Sequence, residues 1–498
     1  MSSRLIVAVF IAGLSACAVG PNFKRPAAPS AKDYGSAPVA GETTAAEGTG
    51  GNVQRFVAGM DIPSQWWTLF QSATLDHLVE QALKANPDVG AAQAALRQAH
   101  ELYAVARTSF FPVVQGNFSG TRVKNAVGTI ANPTSLPQSN PYYNLYTAQL
   151  NISYTPDVFG ATRRQVEIAQ AQVESNRFQL EAVYLTLSSN VVVTAVQEAS
   201  LRGQIAATER LLQLQHQLTE IVQRQRTLGT ASDLDVLAQQ SAEAQTAQIL
   251  PPLQKQLGQS RDALTALLGR LPSDEPQEAF RLDGLTLPTD LPVSLPSKLV
   301  EQRPDVRQAE ENLHAASAAV GVALADMLPQ FTINGDLGSS ALKLGQLFTP
   351  NTGFWDVGSS LTQTLFDAGA LLHKKRAADA ALDQAAAQYR SAVILACQNV
   401  ADTLRALQAD ADALKASAEA DRAAKAAFDL ARRQRLLGTI SLVAVLNAEQ
   451  AYQQAELALV QAQANRYSDT AALFQSLGGG WWNRIGEPHY EQFSPAGK

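Results

Sequence analysis

The chain has 498 residues, a net charge of -6 and only 17% charged side chains, and it is crowded with Ala, Gln and Leu. Such a composition favours long helices over a mixed globular core. A mildly acidic chain with no basic stripe and no interleaved aromatics excludes a nucleic-acid binder.

Arg4 precedes an apolar stretch from Leu5 to Leu14, which is too short to span a bilayer and has the length of a signal-peptide core. Leu14-Ser15-Ala16-Cys17 then resembles a bacterial lipobox, in which small residues precede a Cys that is diacylated, freed by cleavage and acylated again at its amine. The reading is a signal peptide over 1–16 and a covalent lipid on Cys17, with no other cofactor. Several acyl chains anchor a protein stably, and Ala18, not Asp, implies sorting to the outer membrane. The competing reading is an ordinary signal with an incidental Cys. Cys397 is the other cysteine, so no disulfide can form within one mature chain.

Residues 17–70 read as an extended linker, because Pro, Gly, Ala, Ser and Thr dominate up to about 65 without periodicity. Trp66-Trp67-Thr68-Leu69-Phe70 starts the folded body, and a helix is predicted from Thr74 to Lys84. Pro87 restarts a helix at a favoured first-turn position, and Pro112 stops it after Phe110. From Phe111 the period becomes two, which predicts a β-hairpin over about 111–156. In the returning strand Tyr146, Ala148, Leu150, Ile152 and Tyr154 take one face, and Thr147, Gln149, Asn151 and Ser153 take the other. The connecting loop holds Asn132-Pro133, Pro137 and Asn140-Pro141.

From Gly160 to about Leu228 there is no Pro, so a helix roughly 100 Å long is predicted at 1.5 Å per residue. Apolar residues from Val166 to Val191 keep steps of three, four or seven, a coiled-coil-like seam. The helix ends in Leu228-Gly229-Thr230, and a return helix is predicted from Asp233 to Leu268 with a kink at Pro251-Pro252. Gly229 suits a left-handed C-terminal cap and Ser232 an N-cap. Residues 271–296, rich in Pro, read as a linker.

Then the chain repeats itself. Asn86-Pro87-Asp88-Val89 returns as Arg303-Pro304-Asp305-Val306, and Pro112 returns as Pro329. Arg226-Thr227-Leu228-Gly229-Thr230 returns as Arg435-Leu436-Leu437-Gly438-Thr439, and Gly160 returns as Gly369. Two copies of one supersecondary unit are fused in tandem. Repeat 1 spans 71–270, with its helical hairpin at 160–269. Repeat 2 spans 297–478, with strands over about 330–366 and a helical hairpin at 369–477. A flexible tail is predicted at 479–498. The separation drops from about 217 to about 209 positions after Pro112, which gives the first hairpin the longer loop.

Each strand can reach the length that a tilted transmembrane strand needs, and Tyr142, Tyr143, Tyr146, Phe354 and Trp355 suit an interfacial girdle. A half-buried soluble sheet competes with this. Four strands cannot close a barrel alone, so the membrane reading demands oligomerisation, and three chains would supply about twelve. No catalytic constellation appears: His77, His100, His216, His314, His373 and His489 are scattered, and Gly478-Gly479-Gly480 has no following Lys-Ser/Thr. Asp233 and Asp235 either complement a helix N-terminus or line a pore.

Taken together, the lipobox, the duplication and the two kinds of hairpin resemble the TolC-like outer-membrane efflux proteins, in particular the lipoprotein branch that partners resistance-nodulation-division pumps. Its local signs are Cys17-Ala18-Val19-Gly20-Pro21-Asn22-Phe23, Arg303-Pro304-Asp305 with Ala309-Glu310, and the two Leu-Gly-Thr tips. The resemblance implies a mostly α fold with membrane β: a homotrimer whose twelve-stranded β-barrel continues into a twelve-helix periplasmic α-barrel, with a small mixed equatorial domain. It implies a passive, non-enzymatic exit duct for drugs and small toxic molecules. The duct would be lipid-anchored in the outer membrane of a Gram-negative bacterium and served by a periplasmic adaptor and an inner-membrane pump. At the periplasmic aperture it points to Asp233 and Asp235 with Arg226 and Arg435 as holding partners. Ala444 and Asn447 stand where relatives often place Asp. Adaptor contact would fall on Leu228, Gly229 and Thr230 and on Leu437, Gly438 and Thr439. The competing functions are a type I secretion duct for polypeptides and a non-conducting periplasmic coiled-coil scaffold.

Overall fold

The computed structural model describes residues 18–31, 33–35, 40–124 and 142–484. Cys17 and the signal peptide, the first hairpin's Asn132, Pro133, Pro137, Asn140 and Pro141, and the tail from 485 lie outside the described residues. In chain order the first half forms β1 (Arg55–Ala58), α1 (Ala73–Ala85), α2 (Pro87–Thr108), β2 (Val113–Lys124), β3 (Tyr142–Tyr154), α3 (Ala161–Thr227), α4 (Asp233–Ala247) and α5 (Leu250–Leu267). The second half forms β4 (Asp290–Val293), α6 (Pro296–Gln302), α7 (Pro304–Ala325), β5 (Gln330–Ala341), β6 (Gly353–Thr362), α8 (Ala370–Leu436) and α9 (Leu442–Ser476). The duplication is visible in matched lengths: α2 and α7 have 22 residues each, and α3 and α8 have 67 each. Contacts group the chain into two compact units.

One unit contains the described residues up to Arg25, those within Arg97–Ser175, and Glu310–Gln388. Its four strands form an antiparallel sheet in the order β2-β3-β5-β6. The register pairs Phe118 with Ala148, Leu150 with Leu337 and Leu337 with Trp355, which collects the apolar side chains on one face. Val114, Phe118, Ile152, Trp355, Val357 and Leu361 on that face are exposed. The opposite face carries Asn117, Gln149, Asn151, Asn334, Asp336 and Asp356, with Asn151 donating to Asp336 and Ser153 Oγ to Asn334 at 3.0 Å. Strands β2 and β6 are paired on one side only.

Residues 18–25 dock in this unit, so the predicted linker does not begin as a free tether. Arg164, nearly fully buried, donates to the Val19 carbonyl oxygen at 3.3 Å and to Asn22 Oδ1 at 2.7 Å. Phe23 stacks on His314 with centroids 4.4 Å apart, and Arg25 pairs with Glu310 at 3.0 Å.

The other unit contains the described residues within Pro26–Leu96, Asn176–Ala309, and those from Tyr389 to Arg484. Here, too, the linkers prove to be packed structure. β1 pairs in parallel with β4, joining the segment read as 17–70 to the one read as 271–296. Gln54 is fully buried, donating to Thr470 Oγ1 at 2.9 Å and accepting from the buried Arg466 at 2.8 Å. Leu282, Leu285, Leu287 and Leu291 are buried as well. Proline sets φ without preventing the intervening leucines from reaching a core. The start of the predicted tail is packed, since Trp481 Nε1 donates to the Gln302 carbonyl oxygen at 2.7 Å and Trp482 Nε1 to Asp61 at 3.0 Å. At its centre Trp66 stacks on Phe474 at 5.4 Å.

Both repeats close in the same way with different chemistry. Asn86 accepts from the Asp88 amide at 2.8 Å and donates to the Leu267 carbonyl oxygen at 2.9 Å, tying the start of α2 to the end of α5. Arg303 occupies the matching position, forks onto Asp305 at 2.9 and 2.5 Å and donates to Ser476 O at 3.0 Å, tying α7 to α9. After each return helix comes a glycine with positive φ, Gly269 at 71° and Gly478 at 97°. A side chain there would collide with the backbone oxygen of Ala85 or of Gln302.

The Pro251-Pro252 effect exceeds the predicted kink. Gln248 and Ile249 separate α4 from α5, because both prolines sit in the first turn of α5, where they supply no amide to the preceding turn. The second return helix, with Val460-Gln461 at the equivalent place, runs unbroken for 35 residues.

Candidate functional site at the helical tips

The two Leu-Gly-Thr sequences build the same turn. Gly229 and Gly438 have φ of 75° and 73°. The Thr230 amide donates to Gln225 O at 2.8 Å and that of Gly229 to Arg226 O at 2.9 Å, the paired bonds of a Schellman motif. Thr439 and Gly438 repeat them on Gln434 O and Arg435 O at 3.0 and 2.9 Å. Each threonine hydroxyl adds a second bond to the same carbonyl, at 3.0 and 2.9 Å. The glycine turns the chain and the threonine satisfies helix-end oxygens, so Leu228 and Leu437 are left to project, each 78% exposed. Leu234, Leu237, Leu436 and Val443 are exposed nearby in sequence and form an apolar fringe at the two tips.

The predicted aperture residues divide into two kinds. Asp233 forms an ion pair with Arg226, and both are exposed. Asp235 forms a capping box: its amide donates to Ser232 Oγ at 3.2 Å and its carboxylate accepts from the Ser232 amide at 2.9 Å. Those bonds hold the Asp235 carboxyl below the usual carboxylate value, with a smaller contribution from the Arg435 charge. Arg435 itself donates to Ile440 O at 3.4 Å and acts on Asp235 only through its charge. At the second tip Ser441 accepts from the Ala444 amide at 3.2 Å, and Ala444 has no carboxylate to complete a box. Asn447 is exposed on α9.

Further from the tips lie polar residues that the sequence reading did not single out. Thr219 donates to Glu243 at 2.6 Å and His216 meets the other Glu243 oxygen at 3.0 Å, tying α3 to α4. Arg210 pairs with Glu456 at 2.6 Å, tying α3 to α9. Gln215, Gln239 and Glu449 are buried. One signal for Glu449 was present: Leu442, Val445, Glu449 and Tyr452 follow the three- and four-residue steps of a buried helix stripe. Among the described residues no cluster of His, Cys, Asp and Glu is placed to hold a metal ion, and no helix is long and apolar enough to cross a membrane.

A family model described as outer membrane efflux protein matches residues 78–270 and 295–479. The pyoverdine export outer membrane protein OpmQ of Pseudomonas putida is 28% identical over 421 residues, covering 84% of this chain and 89% of that protein. The probable efflux pump outer membrane protein TtgC of the same species is 27% identical over 489 residues, covering 98% of this chain and 97% of that protein. Among solved structures, the outer-membrane channel OprN superposes with a TM-score of 0.83 at 29% identity, covering 93% of this chain and all of that one.

Proposed function

The chain belongs to the outer membrane efflux protein family, and from that premise we propose how its parts serve the exit duct of a tripartite efflux system. It is an outer-membrane channel that works with an adaptor and an inner-membrane pump, in the manner of the efflux-pump proteins it resembles along nearly its whole length. The observation that carries this reading is the four-stranded sheet with an exposed apolar face and two half-paired edges. Hydrocarbon tolerates no open edge, and four strands cannot close. A homotrimer in which β6 of each chain meets β2 of the next supplies twelve strands, with the apolar face toward lipid and the amide-rich face toward the pore.

In this reading the pump is of the resistance-nodulation-division class, supported by the lipobox and by Arg303-Pro304-Asp305. Cys17 carries the lipid, supported by the docking of Ala18–Arg25, which leaves no slack between anchor and folded body. The adaptor meets Leu228, Gly229 and Thr230 and Leu437, Gly438 and Thr439, supported by the projecting leucines. Asp233 and Asp235 line an acidic aperture, supported by the exposed Asp233 and the half-buried Asp235 at the first tip. The cargo is small molecules, which the pump selects. Planar-bilayer conductance and a trimer that resists detergent until heated test the duct. Absence of both would favour the non-conducting scaffold.

A further inference from the structure

Glu449 on α9 is 1% exposed, yet neither of its oxygens has a well-formed hydrogen bond. On α4, Gln239 is fully buried with both amide atoms unpartnered, and Gln215 Oε1 on α3 and Gln453 Nε2 one turn beyond Glu449 are in the same condition. Gln239 and Glu449 lie nearly equally far along the chain from Gly229 and Gly438. Around this level the packing is apolar: Phe428 and Ala431 of α8 and Val445 of α9 form a buried cluster with Leu214 and Tyr452 against it, and Phe428 stacks on Tyr452 at 5.9 Å. Native cores leave few polar atoms unmatched. A carboxyl in such surroundings is tolerated uncharged and is costly when ionised.

We infer that this layer is an acid-held latch: with a proton on Glu449, α9 lies packed against α3, α4 and α8, and loss of that proton loosens the helices above the tips. The inference goes beyond the channel assignment, because it concerns how firmly the helical end is held shut.

The sign follows from the surroundings. Burial pushes the Glu449 carboxyl from 4.5 up to about 7, opposed by the Gln215 amide and the Arg432 charge. A carboxyl raised in the packed state stabilises that state fully below 4.5, and the stabilisation is lost as pH climbs to about 7. Across that window the packed-to-loosened ratio falls by up to roughly tenfold per pH unit. The other charged groups on the packed elements act elsewhere or are paired. On α3, His216 is exposed beside Glu220 and is raised from 6.5 by Glu243, so its change falls above 6.5. On α4, Glu243 is lowered from 4.5 by Thr219, so its change falls below 4.5. On α9, Glu456 is paired with Arg210. On α8, Arg432 lies over the Phe428 ring and Asp421 is raised from 3.8 by burial. On α9, burial and the neighbouring Asp410 push Asp469 up to about 7, in the same window, but it lies well beyond Glu456 toward the far end of the helix.

The test is hydrogen exchange of the intact purified protein in detergent, read on peptides from Leu442 to Glu456 and corrected for intrinsic rate. Protection in wild type should fall tens of times between pH 5 and pH 7.5. In Glu449→Gln, the uncharged isostere, it should stay high and flat, while His216→Gln and Asp421→Asn keep the wild-type step. An unchanged step in Glu449→Gln, a step abolished by Asp421→Asn, or a flat wild-type profile overturns the latch. Glu449→Met, apolar and of similar volume, serves as the second variant and should also be flat. Because exchange is read in the helices, the latch stands or falls independently of conduction.

Discussion

Four glycines, all with positive φ, allow the cost of a side chain to be separated from the cost of a backbone conformation. Gly229 and Gly438 turn in open space, where an added Cβ meets nothing within 4 Å. Gly269 and Gly478 turn against backbone, with the added Cβ 2.5 Å from the Ala85 oxygen in one case and on top of the Gln302 oxygen in the other. Alanine at either tip therefore costs only the left-handed conformation, about 1 kcal/mol. Alanine at either closure adds a collision that flexible side chains cannot relieve, for a total of about 3–5 kcal/mol. Urea unfolding in detergent, followed by tryptophan fluorescence, reports on the right place, since Trp66 stacks in this core and Trp481 donates to Gln302. The expected order is Gly478→Ala and Gly269→Ala severe, Gly438→Ala and Gly229→Ala mild, in both repeats alike. Equal costs at all four positions, or a mild Gly478→Ala, would refute the reasoning.

Arg303→Ala should cost about 2–4 kcal/mol in the same unfolding assay, because it strips Ser476 O and Asp305 of a charged fork; Arg303→Lys should recover only part of it. Asp233→Asn combined with Asp235→Asn should lower cation selectivity in planar bilayers, and unchanged selectivity would remove both from the aperture. Asp235→Ala alone should fray the start of α4 by about 1 kcal/mol through loss of the capping box, seen as faster exchange at Val236 and Leu237. The wild-type box persists above the ordinary carboxylate value of 3.8 and is lost as pH falls through the lowered one. Cys17→Ser should abolish incorporation of labelled palmitate, and retained label would place the lipid elsewhere.

Local signals survived the passage from sequence to structure well. Pro87 and Pro304 start their helices because the first position has no amide bond to lose, and Leu-Gly-Thr makes its Schellman turn from three adjacent residues. Alternation placed Leu150 and Ile152 on one sheet face because the pleat repeats every two residues. The misreadings share a cause, which is distance along the chain. Nothing near Arg55 announces Asp290 as its partner, and composition made both segments look like linkers. The break at Gln248 and Ile249 was underestimated, since a proline pair can bend a helix or end it. Glu449 was passed over because a charged letter in an Ala-rich helix reads as surface until its spacing from Val445 and Tyr452 is counted. The acidic tip was legible as composition, while the division of labour between an ion-paired Asp233 and a capping Asp235 depends on atomic positions.

The parallel pairing of β1 with β4 also sets an order of events. A strand near the start of the chain waits for one close to half the chain length away, and Gln54 waits longer still for Arg466 and Thr470. Loop closure over such spans is slow compared with forming a helical hairpin. Residues 54–58, made early, are thus among the last to find their partners, and this unit completes its fold by fastening a strand from near its start.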